Sequence, residues 1–330
     1  MTTELNVLLS SAGRRVALLD IFRRTLSEMD LEGRVMAADM SPLSSAWHSA
    51  DDAFLVPRCT DKEFVPAMLD LCKNHNVGLL VPTLDPELPV YARHRDAFAR
   101  IGTTVAISSP EVIAIASDKN ETHAWLTEER LPTVRQTTDT GFADNGQKWK
   151  FPVLVKPRNG SSSIGVAVVD DYLQFEAATR GGDFIVQGIA PGHEYTLDVL
   201  ADRSGNCVCA VPRRRIETRA GEVSKGVTVR SGELIELAGQ VCERLPGAFG
   251  PLNIQMFFDI ESQEINVIEI NPRFAGGFPL SWQAGAKYPQ WLIEEILGRP
   301  SSANPSTWTD GLVMLRWDQA VFTTAEQAGL

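Results

Sequence analysis

The spacing of apolar positions changes along this chain, and the change divides it. Up to about residue 115, short apolar runs alternate with stretches in which apolar residues recur every three or four positions. Leu5 to Leu9, Val35 to Ala38 and Val77 to Val81 read as buried strands, with Arg14 to Met29, Glu63 to His75 and Pro89 to Ile101 as helices between them. That alternation predicts an open α/β sheet. Farther along, the period falls to two. Leu252 to Ile260 sets Ile254, Met256, Phe258 and Ile260 on one face and Gln255, Phe257 and Asp259 on the other, while Glu269 and Asn271 look away from Ile268 and Ile270. With the polar turn Glu261 to Glu264 between them, these segments read as a β-hairpin. Burying both apolar sets together requires even-numbered residues to pair with even-numbered ones, which calls for an odd-length connection. Gln255 then shares a face with Glu269 and Asn271. Thr137 to Lys148 is polar and reads as a surface loop, and no internal repeat is present.

Composition narrows the function classes. The chain has 330 residues, enough for two or three subdomains, and its 44% hydrophobic and 22% charged content is ordinary for a globular protein. No apolar run approaches membrane-spanning length and no signal-peptide pattern opens the chain, so the expectation is a cytoplasmic protein without a membrane partner. A formal charge of -11 argues against sequence-independent nucleic-acid binding, which depends on neutralising phosphates with Lys and Arg. The five cysteines are odd in number and lack paired metal spacing, and they read as buried or inert thiols. The scattered histidines form no Ser-His-Asp or Cys-His pattern.

Two segments carry candidate chemistry. In Val267 to Arg273, Glu269 and Asn271 offer hard oxygen donors and Arg273 a guanidinium just beyond Pro272, a set that suits a Mg²⁺–phosphate complex. With Gln255 from the neighbouring strand, three donors would hold one or two Mg²⁺ ions. Taken alone, the stretch reads equally as a strand end with a surface turn. Upstream, Phe151 to Pro157 reads as a strand ending in Lys156. The glycine- and serine-rich run Asn159 to Gly165 follows, containing Ser161, Ser162 and Ser163, and then a second strand, Val166 to Val169. Such a loop turns backbone N–H groups and hydroxyls toward phosphate oxygens. It is not a Walker A loop, because the lysine precedes the glycines and a strand follows them.

The order of features resembles the ATP-grasp superfamily: Lys119 opening a helix, a strand lysine, a glycine-rich loop, a hinge from Phe184 to Leu200 with Glu194 after Gly192-x, and a final Glu-x-Asn-Pro-Arg. Within that superfamily the chain is similar to one synthetase half of the carbamoyl phosphate synthase large chain, from the first strand to about Gly298. The resemblance implies a fold of mixed α/β and α+β class: a Rossmann-like pre-ATP-grasp domain over 1–115, then a two-subdomain ATP-grasp fold. Its small lid subdomain would cover 116–186 and its large subdomain, with the metal site, 187–330. Lys119 and Lys156 would then contact ATP phosphates, and Ser161, Ser162, Ser163 and Gly165 would belong to the mobile lid. Gln187 stands where the family usually has a glutamate that reads the adenine amino group, a role an amide oxygen also fills. The backbone at Ile189 and Ala190 would read the ring edge and Glu194 the ribose. Gln255, Glu269 and Asn271 would hold Mg²⁺ or Mn²⁺, and Arg273 would lie near the transferring phosphoryl group.

The opening segment, with Gly13 as its one glycine, lacks the dinucleotide fingerprint and argues against a nicotinamide cofactor. Arg14, Arg15, Asp39 and the loop Pro82 to Glu87, which contains Asp85, sit where the strand ends of an open sheet face a ligand. A basic segment from Pro212 to Gly226 reads either as a solvated strand and loop or as a source of active-site cations. In the second case, which the resemblance to related ligases implies, Arg213, Arg215 and Lys225 face the active site and hold the γ-phosphate or an anionic substrate, with Lys225 joining Arg273 in catalysis. The implied activity is ATP-dependent carboxylate–amine ligation through an acyl phosphate, releasing ADP and phosphate, with a small carboxylate and an amine as partners. Positioning and charge neutralisation suffice for such phosphoryl transfer, so no protein nucleophile is required. A phosphotransferase and a non-catalytic nucleotide-binding protein are the alternatives, and a homodimer is left open.

Overall fold

The computed structural model describes residues 4–159, 165–219 and 221–330. Its first sheet is parallel. The strands are β1 (Asn6–Ser10), β2 (Val35–Asp39), β3 (Ala53–Leu55), β4 (Val77–Pro82) and β5 (Thr104–Val105), in spatial order β3-β2-β1-β4-β5. The helices are α1 (Val16–Glu28), α2 (Ser45–Ser49), α3 (Phe64–Asn74), α4 (Leu88–Arg100) and α5 (Pro110–Ser117). Both faces of the sheet are covered, which explains the unbroken apolar strands. Leu8, Met36 and Leu80 pack among Phe64, Met68, Tyr91 and Phe98, whereas Val7, Leu9 and Ala37 pack toward Leu18, Leu19 and Phe22 of α1. The strand order reverses between β1 and β4, so the loops after Ser10 and Pro82 open a crevice at the switch point. β3 and β5 have three and two residues, too few to show a period, and the sequence pattern passes over both.

A second, four-stranded sheet has the order β6-β9-β7-β8, with β6 (Gln136–Thr138), β7 (Val153–Pro157), β8 (Ala167–Val169) and β9 (Phe184–Gly188). Before it runs α6 (Lys119–Glu128), capped by the Asp118 carboxylate, which accepts from the Asn120 N–H. Two short helices, α7 (Asp139–Asn145) and α8 (Tyr172–Ala178), cover one face. The expected surface loop at Thr137 to Lys148 is therefore a correction: the segment ends β6, caps α7 through Thr138 and turns once more. Phe142 decides the outcome. It is fully buried, with ring centroids 4.7 Å from Phe175 and 5.5 Å from Trp149, and one anchor among polar residues leaves no readable period.

The third sheet is antiparallel, in the order β14-β13-β10-β11-β12-β15. Its strands are β10 (His193–Ala201), β11 (Cys207–Arg219), β12 (Glu222–Thr228), β13 (Gly250–Asp259), β14 (Glu264–Asn271) and β15 (Val313–Leu315). Helix α9 (Gly232–Arg244) seals one face with Leu234, Leu237, Ala238 and Val241 against Leu197, Val199, Leu252 and Ile254. Helices α10 (Phe278–Ala284) and α11 (Tyr288–Ile296) carry Phe278, Trp282, Tyr288 and Trp291 into the same apolar cluster as α1. Phe22 of α1 meets Phe274 edge-on at 5.9 Å. The first and third sheets thus share one core.

The β13–β14 hairpin corrects a second expectation. Its connection is four residues, 260–263, an even number, with Asp259 opposite Glu264. A regular ladder from that turn would pair odd with even residues throughout. Instead Met256 faces Val267 and Gln255 faces Glu269, so Ile268 is an extra residue in a β-bulge, after which Ile254 faces Ile270. The bulge restores odd-with-odd pairing where Gln255, Glu269, Asn253 and Asn271 meet. It also exchanges two side chains: Val267, not Ile268, joins Ile270 in the core, and Ile268 turns out of it.

Candidate active site

The ends of all three sheets converge on one cleft of about 560 Å³. From the four-stranded sheet comes Lys156, 7% exposed near the end of β7, and from the start of α6 comes Lys119. Burial lowers the affinity of Lys156 for its proton, and although Glu269 opposes that effect its pKa falls to about 8. Lys119 is lowered too, again chiefly by burial, with Glu269 and Asp118 opposing. Both ammonium groups thus approach the carboxylate of the opposite sheet. Ser161, Ser162 and Ser163 lie outside the described residues. Gly165 has φ +75°, and a Cβ there would stand 2.9 Å from the Pro157 ring, so glycine suits that turn.

At the inner end of the cleft, Gln187 is 4% exposed and belongs to a chain of amides. Gln136 donates its NH₂ to the Lys119 carbonyl at 3.1 Å and to Asn120 Oδ1 at 2.9 Å. A carbonyl can only accept, so the Gln136 oxygen is left to receive the Gln187 NH₂, at 2.7 Å. Gln187 is thereby held with its own oxygen as the remaining acceptor. Leu154 and Val168 line one side of this part of the cleft, with Ile189 and Ala190 at its edge, and Phe257 and the bulged Ile268 line the other.

On the third sheet, Gln255, Glu269 and Asn271 line the cleft together, and Asn253, opposite Asn271, joins them. Among the described residues no three His, Cys, Asp or Glu side chains form a metal-binding group. The oxygen set here is one carboxylate with neighbouring amides, which fits a divalent ion that keeps phosphate and water ligands. Arg273 lies beside Asn271, with Nη2 3.4 Å from its Oδ1, and is clamped by the Asp85 carboxylate through Nε and, at 2.7 Å, Nη2. Burial disfavours the Arg273 charge, but Asp85 and Glu269 outweigh it and raise the guanidinium's pKa. Asp85 thus fixes the arginine, and its own side chain, 31% exposed, also lines the cleft.

The remaining candidates divide. Arg213 and Arg215 project from one face of β11 into the cleft wall, the first paired with Asp198 and the second with Glu194. Burial raises the Glu194 pKa despite that arginine. Lys225 is not brought to the cleft. Gly226 stands opposite Arg215, so Lys225 falls on the other face of β12, exposed, with Nζ 2.6 Å from Glu217. Arg14 is 78% exposed, and Arg15 enters the cleft in its place, 3.5 Å from Glu222. Asp39 accepts the Gly13 N–H at 2.9 Å and holds the β1–α1 turn. Gln136, Asn253, Asp198 and Glu222 carry no local signal in the sequence, because each acts through a side-chain partner remote along the chain, and the Asn253–Asn271 pairing arises only after the bulge.

Comparison with known proteins gives the same architecture. Residues 7–106 match the family described as "PylC-like, N-terminal domain", and residues 181–320 match "ATP-grasp in the biosynthetic pathway with Ter operon". The chain carries an ATP-grasp domain. It is 21% identical over 210 residues to the carbamoyl phosphate synthase large chain of Rubrobacter xylanophilus, an alignment covering 56% of this chain and 20% of the larger protein. The chain therefore spans only about a fifth of that relative's length. It is 30% identical over 204 residues to the D-alanine–D-alanine ligase of Corynebacterium aurimucosum, covering 54% and 55% of the two chains. Its fold is similar to that of an N5-carboxyaminoimidazole ribonucleotide synthetase crystallised with ADP, at TM-score 0.73 and 13% identity over 93% of this chain and 80% of the other. At that identity the likeness speaks for the fold alone. Among the described residues no helix is long and apolar enough to cross a membrane.

Proposed function

We propose that this ATP-grasp chain is an ATP- and Mg²⁺-dependent ligase that joins a small carboxylate to an amine and releases ADP and phosphate. One observation carries the reading: Lys119 and Lys156 from the lid side and Gln255, Glu269, Asn271 and Arg273 from the opposite sheet line a single cleft. In the reaction, a carboxylate oxygen of the substrate attacks the γ-phosphorus as the bond to ADP breaks, and the amine then displaces phosphate from the acyl carbon. Gln255, Glu269 and Asn271 would hold the divalent ion, which offsets phosphate charge when bound. Lys119 and Lys156 supply fixed positive charge, and Arg273, held rigid by Asp85, faces the charge that develops on the transferring group. Gln187 offers its oxygen to the adenine amino group. The apolar walls at Leu154, Val168, Phe257 and Ile268 suit a purine face and exclude water from it.

The test is a panel of small carboxylates and amines with ATP and Mg²⁺, assayed for ADP and for free phosphate. The reading requires both products, with ADP formation dependent on carboxylate and amine together. ADP without phosphate, in the presence of a single acceptor, would identify a phosphotransferase instead.

A further inference from the structure

A bulge at the start of β11 separates two neighbouring thiols. Along an unbroken strand Cys207 and Cys209 would share a face. Instead Cys209 stands opposite Leu200 and Cys207 opposite Ala201, so Val208 is an extra residue between them. Cys209 follows Leu200 into the cluster of α1, α10 and α11, where it is buried and its carbonyl accepts from the Tyr288 hydroxyl at 3.0 Å. Cys207 follows Ala201 to the other face, under α9, and meets the Cys242 side chain there.

The pair is unequal. Cys207 is partly exposed, whereas Cys242 is fully buried, with Sγ 3.8 Å from the Gly205 carbonyl of the β10–β11 turn. The Cys242 S–H hydrogen-bonds to Cys207 and favours its thiolate, holding the Cys207 pKa below the usual thiol range against burial and the carboxylates of Glu243 and Asp202. Cys242 moves the other way, because its bond to Cys207, burial and the same carboxylates all raise it. Burial pushes Cys72 and Cys209 up to about 12 and raises Cys59 as well. One thiol of the five is therefore both accessible and activated, and its neighbour is a second thiol.

We propose that Cys207 and Cys242 form an oxidation site, at which a peroxide converts the two thiols into a reversible disulfide that staples the β10–β11 turn to α9. The Cys207 sulfur attacks one peroxide oxygen, so that an S–O bond forms and the O–O bond breaks, and the departing oxygen leaves as water with the proton the thiol gave up. The Cys242 sulfur then displaces the hydroxyl of the Cys207 sulfenic acid. The S–S bond forms, the S–O bond breaks, and a second water carries away the Cys242 proton. Two thiols have then lost two electrons to one peroxide, which is reduced to two waters. The site lies roughly 20 Å along β10 from Glu194. It therefore bears on the stability of the third sheet and does not depend on what the cleft binds.

The experiment treats the native, reductant-free full-length chain with hydrogen peroxide, quenches it by alkylation at intervals and maps its peptides without reduction. A peptide linking Cys207 to Cys242 should be the first product. It should form at least about tenfold faster than any oxidation of Cys59, since thiolate fraction favours Cys207 and a resolving thiol stands beside it. Dithiothreitol should return both thiols. Oxidised wild type should melt several degrees above the reduced form, because closing the loop from 207 to 242 constrains the unfolded chain. In Cys242→Ser the sulfenic acid should persist at Cys207 and be trapped by dimedone, and in Cys207→Ser the buried Cys242 should stay unmodified. The wild-type map decides the site even where a serine variant fails to fold. The proposal is overturned if Cys59 is oxidised first, if Cys207 links to Cys209 or to another molecule, if Cys207 passes beyond sulfenic acid while Cys242 stays reduced, or if the linked form melts no higher than the reduced one.

Discussion

Lys156 and Gln136 illustrate how single side chains set what this cleft binds. Burial brings the free-state pKa of Lys156 to about 8, and a bound triphosphate favours the ammonium and raises it. Binding therefore takes up a proton above pH 8, and the contribution of Lys156 is complete below the free-state value and fades as pH rises through the bound-state one. Nucleotide affinity measured by calorimetry should fall between pH 7.5 and 9.5, with proton uptake visible as a dependence on buffer ionisation heat. In Lys156→Arg, whose charge persists across that range, both effects should vanish. A wild-type profile that is flat would mean the lysine does not contact phosphate. Gln136 has no expected contact with the nucleotide, yet it decides which atom Gln187 presents. In Gln136→Leu the Gln187 amide is free to turn over, so the preference for ATP over GTP should shrink by about tenfold, the worth of one hydrogen-bond discrimination. Competition binding with the two nucleotides measures it. An unchanged ratio would show that the amide chain plays no part in base selection.

The element that shapes the cleft most is the β13–β14 hairpin, because its bulge sorts neighbouring apolar residues into different jobs. Val267 belongs to the core and Ile268 to the cleft wall. Ile268→Ser should leave the melting temperature within about 2 °C, as an off-core substitution does, yet weaken nucleotide binding by roughly three- to tenfold through lost apolar contact. Val267→Ser should do the opposite, lowering Tm by several degrees. Thermal melts and nucleotide titrations on the pair test the assignment, and a large Tm loss at Ile268 would place it back on the core face. Glu194 and Arg215, and Asp198 and Arg213, show the same economy on β10 and β11. Alternation puts Arg213 and Arg215 toward the cleft and Lys225, carried by a strand paired one position out of step, away from it.

At the scale of the whole molecule, the first sheet is not an independent body. Phe22, Leu18 and Leu19 of α1 share an apolar cluster with Phe274, Phe278, Tyr288 and Trp291, and the Arg273–Asp85 and Arg15–Glu222 pairs cross the same boundary at the cleft. A fragment of residues 1–115 would expose that face of α1. It should therefore bind a hydrophobic dye and unfold without a cooperative transition, whereas the full chain should unfold the first sheet and the α10–α11 region together. Phe22→Ala should destabilise the full chain by about 3–5 kcal/mol, the usual cost of emptying a buried aromatic site. Denaturation followed by circular dichroism and by tryptophan fluorescence checks this, and a cooperative, dye-silent fragment would contradict it.

Local rules were sufficient for much of this molecule. Period, turn residues and residue chemistry are properties of short segments, so the parallel strands β1, β2 and β4, their helices, the Glu269–Asn271–Arg273 set and the position of Lys156 before a glycine loop could all be read along the chain. The parity argument even required Gln255 to share a face with Glu269. What lay beyond the sequence was decided by partners far away along it. The bulge at Ile268 depends on an even-length turn that only the folded hairpin reveals, and Asp85 became a clamp on Arg273 because the switch-point crevice of one sheet abuts the end of another. Phe142 made a helix of a polar stretch by finding Phe175 and Trp149. The Gln136–Gln187 amide chain exists only once three sheets have closed on a common space, since burial is what fixes an amide's orientation.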